Sequence, residues 1–342
     1  MDRRMLRSLL FTLCQLTLLF GILCGGYVAW MQWWTGIQSA HHQYEMTQQA
    51  DWPQPDATRI APPQPGNPPA TTQTPDMGAL IGELYIPRFG DNWHRTIVQG
   101  VSLDELNTHG LGHYPDTALP GQTGNMALAG HRNGYGQPLG GIDRLQTGDP
   151  IIIRTESLWI VYRYTGYRIV LPEDTSVLNP PADRQTRMVT LTTCEPKYTT
   201  PTHRWIATGM FEHWMRVSDG VPGQLAATND HGTVRFTTHD TPGMLTRLGT
   251  LQPVIIALTV AYLIVFIGAS IVWRWPAWRN ATGRDWDVMS VLWRCQPGPK
   301  PIRMLLTGLL ALLAVTIMFE YGYPWCATRI PLLRDMSGYS AI

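Results

Sequence analysis

Three apolar runs, each long enough to cross a bilayer, flank the polar middle of this 342-residue chain, and no feature restricts its architecture more. After the basic tip carrying Arg3, Arg4 and Arg7, the chain has no charge from Ser8 to His42, and most of Leu9 to Trp34 is apolar. At a rise of about 1.5 Å per residue, about 20 such residues span a hydrocarbon core of about 30 Å. The run is long for a signal peptide and lacks a clean A-x-A cleavage site, so it reads as a retained anchor. A second span reads from Pro253 to Trp273 and a third from Ile302 to Phe319. Between them Arg274, Arg279, Arg284, Arg294, Lys300 and Arg303 outnumber Asp285 and Asp287, which marks a cytoplasmic loop by the positive-inside tendency. Tryptophans 30, 33, 34, 273, 275 and 278 suit interfacial belts.

The expected organisation is therefore a cytoplasmic tip with an anchor over 1–37, an exported region between the first two spans, a span at 252–273, a basic loop at 274–301, a span at 302–322 and a short extracellular tail at 323–342. Transporters and channels need ionisable groups inside their spans; here only Arg303 and Glu320 occur, at the edges, so the spans read as anchors. A net charge of +1 supplies no global field for nucleic acid or another polyanion.

Within the exported region, 38–77 reads as a linker, because the proline density of 51–75 disfavours compact folding and favours a semi-extended spacer. From 78 to 215 short apolar runs alternate with glycine and proline, as in LIGELYIP, NMALAGH, PIIIRT, MVTLTTC and RWIATGMF. That spacing is strand spacing, and it predicts a mainly β fold: a closed or nearly closed barrel of about 140 residues. Val161, Arg163 and Thr165 alternate with Ile160, Tyr162 and Tyr164, the pattern of a strand with one wetter face. Ser102 to Thr108 reads as a short helix, with Ser102 as N-cap and Glu105 at the capping-box position. The stretch 216–251 reads as a return linker, with His231 and His239 solvated.

Of five cysteines, only Cys194 stands in this β-rich region. It ends a β-branched run and is followed by Glu195-Pro196, so it sits where a strand opens into a loop. A buried structural thiol is the ordinary reading of such a residue. A nucleophilic thiol instead needs a basic or cationic neighbour, because an unperturbed one is mostly protonated at neutral pH. His131, at the end of the run MALAGH and followed by Gly134, is the best placed; His109 and His113 lie in glycine-punctuated loops. Acyl transfer also needs a donor for the developing oxyanion, and Arg204 opens a strand ten residues after Cys194, where an antiparallel pairing would bring it beside the thiol. Arg132 is the alternative, but its position next to His131 on a strand-to-loop turn points it elsewhere.

These segments resemble the sortases. TLTTC is similar to the sortase motif around the nucleophile, AGHR to that around the histidine, and HRWIATG to the strand bearing the arginine, in the same order. The stretch GLGHYPDTALPGQTGNMALAGHRNGYGQPLGGIDRLQTGD is similar along its length to class E sortases, and the likeness extends over about 82–211. It implies an eight-stranded barrel flanked by transmembrane helices, and cleavage of a C-terminal sorting signal between threonine and glycine through an acyl-enzyme on Cys194. His131 and Arg204 assist, and an amine from a cell-wall precursor or a pilin lysine receives the acyl group. Class E likeness suggests a Leu-Ala-x-Thr-Gly signal rather than Leu-Pro-x-Thr-Gly, with Tyr114 bearing on that choice and Thr193 supporting substrate and arginine. Two spans after the catalytic region, and the phrase THRW, are more usual in pilin-polymerising class C, whose Asp-Pro-aromatic lid has no match here: Asp51-Trp52-Pro53 has the wrong order and lies upstream.

An L,D-transpeptidase or papain-like hydrolase fits the histidine-first order and the strand texture less well. A catalytically idle, tethered peptide-binding barrel is the alternative of another class. No CxxC or HExxH spacing exists and the histidines are scattered, so neither metal nor cofactor is expected.

Overall fold

The computed structural model describes residues 3–69, 74–91, 93–183, 185–228, 234–236, 243–273 and 292–336. The helices used below are α1 (Arg3–Ala29), α2 (Thr35–Ala50), α3 (Leu103–Thr108), α4 (Met244–Leu248), α5 (Gln252–Val272), α6 (Lys300–Ile317) and α7 (Tyr323–Arg329). A π-helical turn covers Trp30–Trp34 and another Met318–Gly322. The chain divides into two compact units, one of Met1–Trp30 with Thr250–Arg329, the other of Met31–Gly249 with Ile330–Ile342.

Three helical stretches, Leu10–Ala50, Gln252–Val272 and Lys300–Arg329, are long and apolar enough to cross a membrane, with mean hydropathies of 1.7, 2.7 and 2.2. In the first unit, large apolar side chains such as Leu18, Phe20, Ile264 and Ile271 point outwards, as lipid-facing helices require. Glu320, expected at the edge of a span, caps α5: its carboxylate accepts from the Leu251 N–H at 3.0 Å and from the Thr250 hydroxyl. The third helical stretch continues to Arg329, past residue 322, where the sequence had suggested a tail. Of the basic loop, 274–291 lies outside the described residues.

The second unit is built on a closed eight-stranded barrel. Its strands are β1 (Leu80–Tyr85), β2 (His94–Gln99), β3 (Leu111–His113), β4 (Gly124–Gly130), β5 (Pro150–Arg154), β6 (Leu158–Val170), β7 (Arg187–Glu195) and β8 (His203–Arg216), in the order β1-β2-β3-β4-β7-β8-β6-β5. β1 pairs with β5 and closes the ring. Two pairs are parallel, β2 with β3 and β4 with β7, and parallel neighbours need a crossover. For β2 and β3 the crossover is α3, capped at Ser102 as its sequence predicts, with the Ser102 hydroxyl accepting from Asp104 N–H and donating to Glu105. The interior is filled by Ile97, Leu111, Leu128, Ile153, Tyr162 and Leu191, all fully buried.

Three expectations change. The strand containing Val161 has no continuous wet face: Val161 is fully buried, and solvent is met only further along, at Arg163 and Thr165 and on to Tyr167 and Ile169. A second layer covers that outer face, where Ala61, Val217, Val221 and Leu225 pack on Tyr85, Ile152, Trp159 and Val161. The proline-rich stretch contributes to this layer instead of hanging free. Proline removes donors but leaves carbonyls, and the Pro53 carbonyl accepts from Arg154 Nη2 at 2.8 Å while Trp52 lies under the Arg154 guanidinium at 5.9 Å. Residues Ile60 and Gln64 form isolated bridges to Val221 and Trp214. The expected linkers are structured in part as well. α2 occupies all of 38–50, and 216–251 holds buried Val217 and Val221 and the small pair β9 (Ala226–Thr228) and β10 (Val234–Phe236). His231 and His239 lie outside the described residues.

Candidate active site

The parallel pairing of β4 with β7 and the antiparallel pairing of β7 with β8 place the sequence-nominated residues in one row. In the β4–β7 ladder each residue faces the one 63 positions later, from Gly124 with Arg187 to Ala129 with Thr192. The recorded pairs end at Ala129 with Thr192; continued past them, the same register points Gly130 to Thr193 and His131 to Cys194. A side-chain bond holds that end together: the Thr193 hydroxyl donates to the Gly130 carbonyl at 2.7 Å. Across the other edge of β7, Cys194 pairs directly with Arg204. Arg204 Nη1 donates to Cys194 Sγ at 3.6 Å, and the arginine is buried. His131, Cys194 and Arg204 thus come from three adjacent strand ends, at the mouth of the barrel.

The three groups differ in environment. Burial pushes the Cys194 thiol up, opposed by the Arg204 and then the Arg132 charge. His131 is 4% exposed, and burial lowers it to about 4. Its Nε2 donates to Asn107 Oδ1 at 2.7 Å, and its ring lies on Tyr135 with centroids 4.9 Å apart. The Nε2 proton leaves Nδ1 as the basic atom of a neutral ring. Tyr114 is partly buried beside this row: burial raises its phenol to about 12, with smaller contributions from the Arg204 and Cys194 charges.

Arg132 turns to the other face of the sheet. It ion-pairs with Glu195, approaches Asp143 at 3.8 Å, donates to the Cys194 carbonyl at 3.3 Å and lies over the Trp205 ring at 4.9 Å. It braces the β7 backbone, and Arg204 alone of the two donates to the sulfur. The competing histidines have other partners: the His113 ring is fully buried against Gln99 Oε1 and the Ala118 carbonyl, and the His109 ring meets the Thr108 hydroxyl.

Below the row, alternation along β7 and β8 puts Thr192, Thr190 and Met188 with Ile206 and Thr208 on the Cys194–Arg204 face. A cavity of about 420 Å³ opens there, lined by Met188, Ile206 and Thr208 and by Ser176 and Val177 of a short 3-10 turn, Thr175–Leu178. Asn125 ties that turn to the floor: its amide donates to the Val177 carbonyl at 2.9 Å and accepts from the Thr190 hydroxyl at 2.7 Å.

Asn107, Tyr135 and Asn125 were not singled out from the sequence. Asn107 lies in a surface-type helix 24 positions before His131, and nothing local announces the contact. Among the described residues no group of three or more His, Cys, Asp or Glu side chains comes together as a metal site.

A Sortase domain model matches residues 84–212. The chain is 30% identical over 222 residues to Sortase SrtE1 of Streptomyces coelicolor, covering 60% of this chain and 58% of that protein. It is 31% identical over 213 residues to Sortase SrtE2 of the same organism, covering 57% of this chain and 79% of that protein. A solved sortase E from Streptomyces avermitilis is 35% identical and aligns over 44% of this chain and 99% of its own, with a TM-score of 0.40. The chain belongs to the sortase family.

Proposed function

We propose that this protein is a membrane-anchored sortase of class E type, which cleaves a C-terminal sorting signal between threonine and glycine and passes the threonyl acyl group to an amine. The observation that carries the reading is the register pair Cys194–Arg204 with its 3.6 Å contact, next to the strand that ends at His131. Two Streptomyces coelicolor relatives named Sortase SrtE1 and Sortase SrtE2 support the class; the Leu-Ala-x-Thr-Gly signal, over Leu-Pro-x-Thr-Gly, is what likeness to that class implies.

The environments define the chemistry. With His131 lowered to about 4 and the thiol raised, the resting proton sits on sulfur and the ring is neutral. The reactive form is the minor one, Cys194 thiolate with His131 imidazolium, favoured at the sulfur by Arg204. The thiolate attacks the threonyl carbonyl, and its negative charge passes to the oxygen, where the Arg204 guanidinium is the available cation. As the C–N bond breaks, His131 gives its proton to the leaving glycine amine, and a thioester remains on Cys194. The acceptor amine then loses a proton to His131, attacks the thioester, and expels the thiolate. Thr193 supports this geometry by locking β7 to β4, and Tyr114, close enough to feel the Arg204 and Cys194 charges, is the residue that bears on the signal's second position. The substrates are surface proteins carrying the signal and the amine of a cell-wall precursor; a pilin lysine is the other acceptor the family offers. The barrel lies on the extracellular face.

A full-length preparation in detergent, given a quenched fluorescent Leu-Ala-x-Thr-Gly peptide, tests this. Cleavage at Thr-Gly that disappears in Cys194→Ala is the expected result, and undiminished turnover by that variant contradicts it.

A further inference from the structure

The loop that follows His131 is an unfavourable piece of backbone. Gly134, Tyr135, Gly136 and Gln137 all have positive φ, at 66°, 48°, 77° and 46°. A tyrosine and a glutamine in the left-handed region are both strained by their Cβ atoms, and such conformations persist only where the surroundings over-determine them. The surroundings here come from α2 and the π-helical turn before it. The buried Thr35 hydroxyl accepts from the Tyr135 N–H at 2.9 Å and donates to the Met31 carbonyl at 2.7 Å. Gln32 donates to Asn133 Oδ1 at 2.7 Å and accepts from Gln137 Nε2 at 3.0 Å. Backbone meets backbone at Gly36, where a Cβ would stand 3.3 Å from the Gly136 Cα.

The same helix supports the second contact to the His131 ring. Ser39 donates to the Thr108 carbonyl at 3.3 Å, next to Asn107, whose Oδ1 accepts from His131. Further along, Gln43 accepts from the Thr96 N–H at 3.1 Å. Both groups that hold the imidazole, the Tyr135 ring beneath it and the Asn107 oxygen at Nε2, are therefore fixed from α2. The π turn fits this role, because one extra residue per turn re-aims the helix face that follows it.

We infer that Thr35 and Gly36 of α2 are positioning residues for His131, so that the helix preceding the barrel is a structural part of the active site. The inference rests on the sortase reading for its kinetic consequence but not for its structural one. Without the Thr35 oxygen the Tyr135 N–H loses its partner, the left-handed turn relaxes, and the ring loses the stacked surface that keeps it buried and oriented. A misplacement of about 1 Å in a proton-transfer group can lower kcat by about a hundredfold.

The test uses full-length protein in detergent, with Thr35→Val, Thr35→Ser and Gly36→Val compared with wild type. The expected result is a kcat for Thr35→Val and Gly36→Val reduced at least about tenfold with KM little changed. The acid limb of the pH profile should move upward from its wild-type position as His131 regains solvent, and Thr35→Ser should restore both. Histidine ring NMR titration, with the His131 signal assigned through His131→Gln, reads the same shift without turnover, so a failure of the sortase reading leaves this arm intact. Wild-type kcat and an unmoved His131 titration in Thr35→Val overturn the inference. So does a loss of kcat with the His131 titration in place, which marks a structural effect alone.

Discussion

Cys194 and His131 are both held away from their charged forms, one by burial of a thiol and the other by burial of an imidazole, and this sets the pH behaviour. Between the low value of His131 and the high value of Cys194 the fraction of the ion-pair form is constant. The expected kcat/KM profile is therefore a broad plateau through neutral pH, with an acid limb near the His131 value of about 4 and an alkaline limb above the ordinary thiol range; a narrow bell centred between about 6.5 and 8.5 would contradict it. Stability follows from the same burial. Because the His131 value is lower in the folded chain than in the unfolded one, the unfolded chain binds more protons below about pH 6.5, and stability falls as the pH drops from there toward 4. The depression corresponds to about 3 kcal/mol at the acid end, and denaturation of His131→Gln across that range should show a shallower slope. Replacing Arg204 by alanine should cost about 2.7 to 4 kcal/mol in the transition state, read as a fall in kcat of about 10²- to 10³-fold with KM nearly constant. A comparable rise in KM with kcat unchanged would assign Arg204 to ground-state binding instead.

At the scale of elements, the trough below the thiol depends on the 3-10 turn at Thr175–Leu178, which the Asn125 amide anchors. Asn125→Ala removes the donor to Val177 and the acceptor of Thr190, and should cost about 1–3 kcal/mol of stability. It should also raise KM for the peptide more than it lowers kcat, because the wall of the trough loosens while the row at the strand ends stays. The alternation and glycine spacing of 78–215 made the strands legible, and the strand-to-loop position of Cys194 made its neighbours searchable. The outer layer was not legible, because proline density in 51–75 reads as a spacer whether or not its carbonyls and apolar rings find a surface. Val161 shows the same limit: period-2 patterning identifies the strand but not the segment that later covers its outer face. Asn107 and Thr35 escaped for a related reason, since each acts across 24 and 100 positions of sequence, to His131 and Tyr135, where no local spacing records the contact.

At the scale of the whole chain, three stretches able to span a membrane accompany one barrel with a single reactive-thiol candidate. The basic residues between the second and third spans imply a cytoplasmic loop. In intact cells a membrane-impermeant protease should therefore cut tags inserted in the barrel's loops and spare a tag inserted between Arg279 and Arg284; the reverse pattern would invert the topology. The central claim is that Cys194 carries the acyl group. Full-length protein in detergent is mixed with a Leu-Ala-x-Thr-Gly peptide in the absence of an amine acceptor, quenched in acid, and weighed by intact mass spectrometry followed by peptide mapping. A threonyl thioester adduct on Cys194, absent from Cys194→Ala, is the expected result; an adduct on another residue, or cleavage of the peptide by Cys194→Ala, would contradict it.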